Sequence, residues 1–136
     1  MQATATAREV LDQLLRGIAA QAWAELADLY AEDAVVEQPF AIPRPIRLVG
    51  RDQIRAHFAA AARVPLALEV RNLVVHHTAN PDVLVAEFDY AGRAPSGGAF
   101  TVANVQVLTV RGGQIVRSRD YHNHHALAEA LTGARQ

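Results

Sequence analysis

Residues 100–122, FTVANVQVLTVRGGQIVRSRDYH, carry the strongest structural signal in the chain. Two runs rich in β-branched residues flank Gly112-Gly113, a pair suited to a tight hairpin turn. Phe100 to Val110 reads as one strand and Gln114 to about His122 as the next. Side chains alternate across a strand. Ser118, Asp120 and His122 therefore share one face, and Arg117, Arg119 and Tyr121 share the other. On the preceding strand, Asn104, Gln106 and Leu108 share one face, and Ala103, Val105, Val107 and Thr109 the other. Alternation alone does not fix which face is concave. A polar cluster of Asn104, Gln106, Asp120 and His122 makes sense where polar groups meet a ligand or water. Left dry and unpaired, each such group costs roughly 1–3 kcal/mol.

Upstream of this hairpin the chain continues as sheet. Leu66 to His77 and Val83 to Tyr90 are two runs separated by a turn at Asn80-Pro81-Asp82. A loop rich in Gly, Pro and Ser, Ala91 to Gly98, precedes the hairpin. Glu87 and Asp89 alternate with Ala86, Phe88 and Tyr90, which places the two acids on the convex face.

The first half of the chain is helical in pattern. Thr6 and Glu9 have capping-box spacing, and Val10, Leu11, Leu14, Leu15 and Ile18 form a helical stripe behind them. Gly17 weakens the end of that helix. Trp23, Leu26, Ala27 and Tyr30 predict a second helix, and Ala34-Val35-Val36 a short strand. Prolines 39, 43 and 45 forbid a regular helix or central strand between Pro39 and Pro45. Gly50 opens a third helix with Ile54, His57, Phe58 and Ala61 on one arc, and Pro65 stops it. Ala126 to Leu131 predicts a final helical turn or two. The expected class is α+β: a strongly bent antiparallel sheet wrapped around three N-terminal helices. Residues 1–136 read as a single domain with no repeat or linker.

Bulk composition narrows the function. The chain has 136 residues, 51% hydrophobic and 20% charged, with a formal net charge of -1. That supports one real core. No basic stripe points to nucleic acid. The absence of cysteine removes disulfides, thiolate metal sites and cysteine nucleophiles. No signal peptide or membrane-spanning run is read, so a cytoplasmic protein is the expectation. The histidines at 76, 77, 122, 124 and 125 invite a metal reading. Adjacent strand residues point to opposite faces, however, and no carboxylate spacing supports a site. Neither a metal nor a cofactor is predicted.

Three segments resemble one known superfamily. Trp23-Ala24-Glu25-Leu26-Ala27-Asp28-Leu29-Tyr30-Ala31-Glu32-Asp33-Ala34-Val35 resembles the second helix and first strand of nuclear transport factor 2-like proteins. Gly50-Arg51-Asp52-Gln53-Ile54-Arg55-Ala56-His57-Phe58 resembles their third helix. Gly113-Gln114-Ile115-Val116-Arg117-Ser118-Arg119-Asp120-Tyr121 resembles the last strand of their SnoaL-like branch. The resemblance covers about residues 8 to 131. It implies a cone-shaped barrel with a pocket at its open end, a small-molecule ligand and a homodimer. The superfamily includes isomerases, cyclases, epoxide hydrolases and members that only bind, so the fold alone does not settle function.

Within that resemblance, the ketosteroid isomerase constellation is not matched. Gln38 stands at the base position, where an amide cannot abstract a proton near neutral pH. Leu14 stands at the oxyanion tyrosine position, and Asn104 or Val105 at that of the protonated aspartate. The SnoaL-like pattern fits better, with Asp120 at the acid–base position. A carboxyl group in an apolar pocket can have its pKa raised by up to about 3–5 units, which suits proton transfer near pH 7. The catalytic candidates are Asp120 and His122. Gln38, Asn104 and Gln106 are substrate-orienting candidates, and Ser118 shares their face. His57 is a candidate orienter or a hydrogen-bonded structural histidine. Trp23, Tyr30, Phe58 and Phe88 serve as core and pocket wall together. The expected function is a cofactor-independent isomerase, cyclase or lyase acting on a small cyclic or polyketide-like molecule. The alternative is a non-catalytic binding or accessory protein.

Overall fold

Thr6 and Glu9 close the capping box of α1 (Ala7–Ala19): each side chain accepts from the other residue's backbone N–H. The computed structural model describes residues 4–64 and 66–132. Val10, Leu11, Leu14, Leu15 and Ile18 are all buried on one face of α1, as their spacing predicts. Gln21 then takes a left-handed φ of 58°, and the Ala22 N–H returns to the Gly17 carbonyl, ending the helix.

The second helix is shorter than expected. α2 spans only Trp23–Leu26 and tightens into a 3-10 turn, Ala27–Leu29. Tyr30 opens β1 (Tyr30–Gln38), a longer strand than the predicted one. The proline-rich segment is a loop, and it leads into β2 (Ile46–Val49), which the sequence reading did not anticipate. Gly50, at a φ of 90°, caps α3 (Arg51–Ala61). Pro65, the expected stop, lies outside the described residues. The meander follows as β3 (Leu68–His77), β4 (Val83–Arg93), β5 (Ala99–Arg111) and β6 (Gln114–His122). α4 (His124–Thr132) closes the described chain.

Two expectations need correction. The sheet is neither wholly antiparallel nor a closed barrel. Its order is β2-β1-β6-β5-β4-β3, open at both edges, and β1 runs parallel to β6. The partner of β1 is distant in sequence, so no local turn signal announces the pairing. Nor do three helices precede the sheet. α3 follows β1 and β2, and α2 is a single turn because the chain becomes extended at Tyr30. The fold is α+β with a mixed six-stranded sheet and four α-helices among the described residues.

The strand β3 is irregular. The β3–β4 register shifts between Arg71 and Val74, and Asn72 there adopts a φ of 59°. The Asn72 amide donates to Asp89 Oδ2 at 2.8 Å, holding the bulge against β4. The core lies between the apolar stripe of α1 and the concave face of the sheet. It joins Leu11 and Leu14 to Ile54, Leu84, Leu108 and Ile115. Each such side chain contributes about 1.5–3 kcal/mol when fully buried.

Candidate active site

The turn at Gly112-Gly113 pairs Arg111 with Gln114 and Val110 with Ile115, and a one-residue register shift between Val110 and Thr109 then sets the pairing that builds the site. That pairing places Asn104 opposite His122, Gln106 opposite Asp120 and Leu108 opposite Ser118. All six face the concave side, because positions two apart on a strand share a face. Asn104, Gln106, Ser118 and Asp120 are buried polar residues, as is Gln38 on β1.

Their hydrogen bonds are specific. Ser118 Oγ donates to Asp120 Oδ1 at 2.5 Å, and Gln106 Nε2 donates to the same oxygen at 3.0 Å. Gln106 Nε2 also reaches Ser118 Oγ at 3.1 Å. One carboxylate oxygen is thus held from two sides. Among the described residues, no side chain or backbone amide donates to Oδ2. Asn104 Nδ2 donates to the Val102 carbonyl at 2.9 Å, which leaves its Oδ1 to accept from His122 Nδ1 at 2.6 Å. That contact assigns the ring proton to Nδ1 and leaves Nε2 with a lone pair.

These groups line a cavity of about 220 Å³. α1 contributes Leu14 and Ile18, α2 contributes Trp23, and α3 contributes Ile54, His57 and Phe58. β1 adds Tyr30, Val36 and Gln38, and β4 adds Tyr90. Trp23 stacks on Phe58 with ring centroids 6.2 Å apart, and Tyr30 lies 5.9 Å from the same ring. Arg51 Nε donates to the Tyr30 carbonyl at 2.8 Å, fixing the start of β1 against α3. One wall is therefore aromatic and aliphatic, and the facing sheet wall is polar.

Burial governs the electrostatics. It pushes the Asp120 carboxyl above its ordinary value, and the hydrogen bonds from Ser118 and Gln106, with His57 nearby, pull it partly back. Burial lowers His122 to about 4, helped by His124 and His57, so its ring is neutral near pH 7. Burial also lowers His57, against the opposing pull of Asp120. Tyr30 and Tyr90 are raised by burial and by Asp120, and both remain protonated phenols.

Nine of the eleven residues singled out in the sequence line this cavity: Trp23, Tyr30, Gln38, His57, Phe58, Asn104, Gln106, Asp120 and His122. Phe88 and Ser118 do not. Phe88 lies beneath the wall with its ring 5.2 Å from that of Tyr90, and Ser118 sits fully buried behind Asp120. Tyr90 was not anticipated as a lining residue. Its place on the same strand face as Phe88 was visible, but nothing in sequence indicated which of the two would reach the cavity. Among the described residues, no group of three or more His, Asp or Glu is placed to hold a metal ion.

The family model for the SnoaL-like domain matches residues 11–118. The chain belongs to the SnoaL-like family. An uncharacterised PhzA/B-like protein of Pseudomonas aeruginosa is 36% identical over 134 residues, covering 93% of this chain and 91% of its own. Among solved structures, a candidate isomerase from Bacillus subtilis superposes with a TM-score of 0.85 at 27% identity, covering 94% of each chain. A candidate polyketide cyclase from Pseudomonas putida superposes with a TM-score of 0.75 at 20% identity, covering 93% of this SnoaL-like chain and 98% of its own. The nuclear transport factor 2-like fold is shared by neighbours of several named activities, including an epoxide hydrolase/cyclase-like enzyme.

Proposed function

We propose that this SnoaL-like protein is an acid–base enzyme that isomerises, cyclises or dehydrates a small cyclic or polyketide-like molecule. The single observation that carries this reading is the state of Asp120. One of its oxygens is anchored by Ser118 and Gln106, and the other is left without a protein donor in an apolar cavity. A fixed carboxyl with a raised pKa can take a proton from carbon or oxygen and return it near neutral pH. The phenols of Tyr30 and Tyr90 stay protonated and can donate to an oxygen that gains negative charge. His122, neutral and held by Asn104, orients the substrate or passes the proton on. The neighbours named as isomerase and polyketide cyclase support this class of chemistry. No cofactor is required by it. The working unit in this reading is a cytoplasmic homodimer of single-domain chains.

Deuterium uptake from heavy water tests the reading, with cyclohexanone and 2-cyclohexenone as generic carbon acids followed by proton NMR. The protein should accelerate exchange, and Asp120→Asn should lose about 10²-fold or more of that rate. Equal exchange by wild type and Asp120→Asn would remove the acid–base assignment.

A second reading, binding without turnover, is favoured by Leu14 and Gln38. Both line the cavity, and neither can move a proton. It predicts a recovered ligand that is chemically unchanged.

A further inference from the structure

The polar wall of the cavity is rich in atoms that can only accept. Gln106 Nε2 is committed to Asp120 and Ser118, and Gln106 Oε1 is buried without a partner. The residue is 6% exposed and lines the cavity. A buried acceptor left unpaired carries a desolvation penalty, so a donor from a bound molecule would offset it. His122 Nε2 is the second such atom, because Asn104 Oδ1 occupies the proton on Nδ1. Asp120 Oδ2 is the third acceptor when the carboxyl is ionised. Gln106 and Asp120 are cross-strand partners, and His122 follows Asp120 two residues on along the same face. The three acceptors therefore occupy one patch of the sheet wall.

Charge points the same way. All 13 basic Lys-plus-Arg residues of the chain are arginines. Among the described residues, none of them lines the cavity, and Asp120 is its one carboxylate. An anionic group would enter beside a carboxyl with no cation to meet it, which is costly in a buried site. Trp23, Tyr30, Phe58 and Tyr90 instead surround the space with aromatic faces and edges, which tolerate or attract a cation. The tyrosine hydroxyls and the Gln38 amide can both donate and accept, so they discriminate neither way.

We infer that the cavity takes a ring-sized molecule whose polar end is a nitrogen donor, an amine or its ammonium, and that it excludes carboxylates and phosphates. An ammonium carries three N–H donors, matching the three acceptors on the wall. This inference rests on the proposed pocket function and names its ligand class. It assigns to Gln106 the role of reading the donor, apart from its hydrogen bond to Asp120.

The test uses four matched probes, benzylamine, benzyl alcohol, toluene and benzoate, titrated into the full chain at pH 7 by NMR and calorimetry. The expected order is benzylamine first, benzoate last, with at least about a tenfold gap between them. Gln106→Met, which keeps volume and removes the acceptor, should weaken benzylamine by about five- to tenfold and leave toluene unchanged. Benzoate binding as tightly as benzylamine in the wild type overturns the inference, whether or not the variant folds. So does a failure of benzylamine to bind in the millimolar range, or an unchanged benzylamine affinity in a folded Gln106→Met. A pocket that prefers benzoate, yet loses exchange on Asp120→Asn, would refute the amine and leave the acid–base reading standing. A pocket that prefers benzylamine, with exchange unchanged by Asp120→Asn, would do the reverse.

Discussion

Gln106 and Asp120 face each other directly across the β5–β6 hairpin, and the Gln106 amide donates to Asp120 Oδ1 at 3.0 Å. Ser118, one step along the same face, donates to that oxygen as well. The carboxyl is thus tuned by two opposed effects, burial that favours its neutral form and donors that favour its charged form.

Removing one donor should move that balance. Ser118→Ala takes away the larger of the two hydrogen-bond effects, so the Asp120 pKa should rise further above its ordinary value. Carbon-13 NMR titration of the aspartate carboxyls checks this. The acid limb of any Asp120-dependent rate should shift to higher pH with it. A downward shift would contradict the arrangement.

Asp120 should also lower stability at neutral pH. Its folded pKa lies above its ordinary value of 3.8, so the unfolded chain gives up that proton first as pH rises. Stability is then lost as pH climbs from about 4 through the folded pKa, and the full penalty is present above it. Asp120→Asn should therefore be more stable than wild type at pH 7 in urea, with the difference closing towards pH 4. A variant less stable at pH 7 would count against a raised pKa.

His122 acts with the opposite sign. Its pKa falls from 6.5 to about 4 on folding, so the unfolded chain binds the extra proton between those values. The stability it supports is present above 6.5 and lost as pH falls to about 4, a difference of about 3 kcal/mol when complete. His122→Gln should flatten the decline in the urea midpoint between pH 6.5 and pH 4. An unchanged slope would show that the ring is not buried neutral.

Gly92 is held by its surroundings. A Cβ there would approach the Ala67 carbonyl oxygen at 2.3 Å and the Phe100 ring at 3.2 Å. The backbone oxygen cannot turn aside as a side-chain tip can. Gly92→Ala should cost about 1–3 kcal/mol, read from denaturant unfolding. A neutral effect would mean that β3 slides freely on β4.

Trp23 is the only tryptophan in the chain, and it lines the cavity against Phe58. Its emission should change on ligand entry, and Trp23→Leu should weaken binding by about tenfold through lost aromatic area. Saturable binding with silent fluorescence would place the ligand elsewhere.

Much of this site was legible because strands encode facing by parity. Parity on each strand put Asn104 with Gln106 and Asp120 with His122. A tight Gly112-Gly113 turn alone would set Gln106 opposite Arg119, and it is the register shift between Val110 and Thr109 that brings Gln106 to Asp120. The helical stripe of α1 was equally plain, since five apolar residues follow one period. Three things were not legible. β2 is four residues of a proline-flanked segment, with Arg47 in its middle. The parallel β1–β6 pairing joins Val36 to Ser118, and no local signal spans that interval. Tyr90 and Phe88 share a parity, so only the depth of packing separates lining from core.

The bulge at Asn72 has a bearing beyond the site. An open sheet offers unpaired backbone along both outer strands, a template on which another chain can add. On one side the outer strand is β2, only four residues long. On the other it is β3, broken near its middle by the left-handed Asn72, with Glu69 and Arg71 just before the break. A visiting strand would find too little to pair with at one edge, and at the other a kinked, charged line it could not follow.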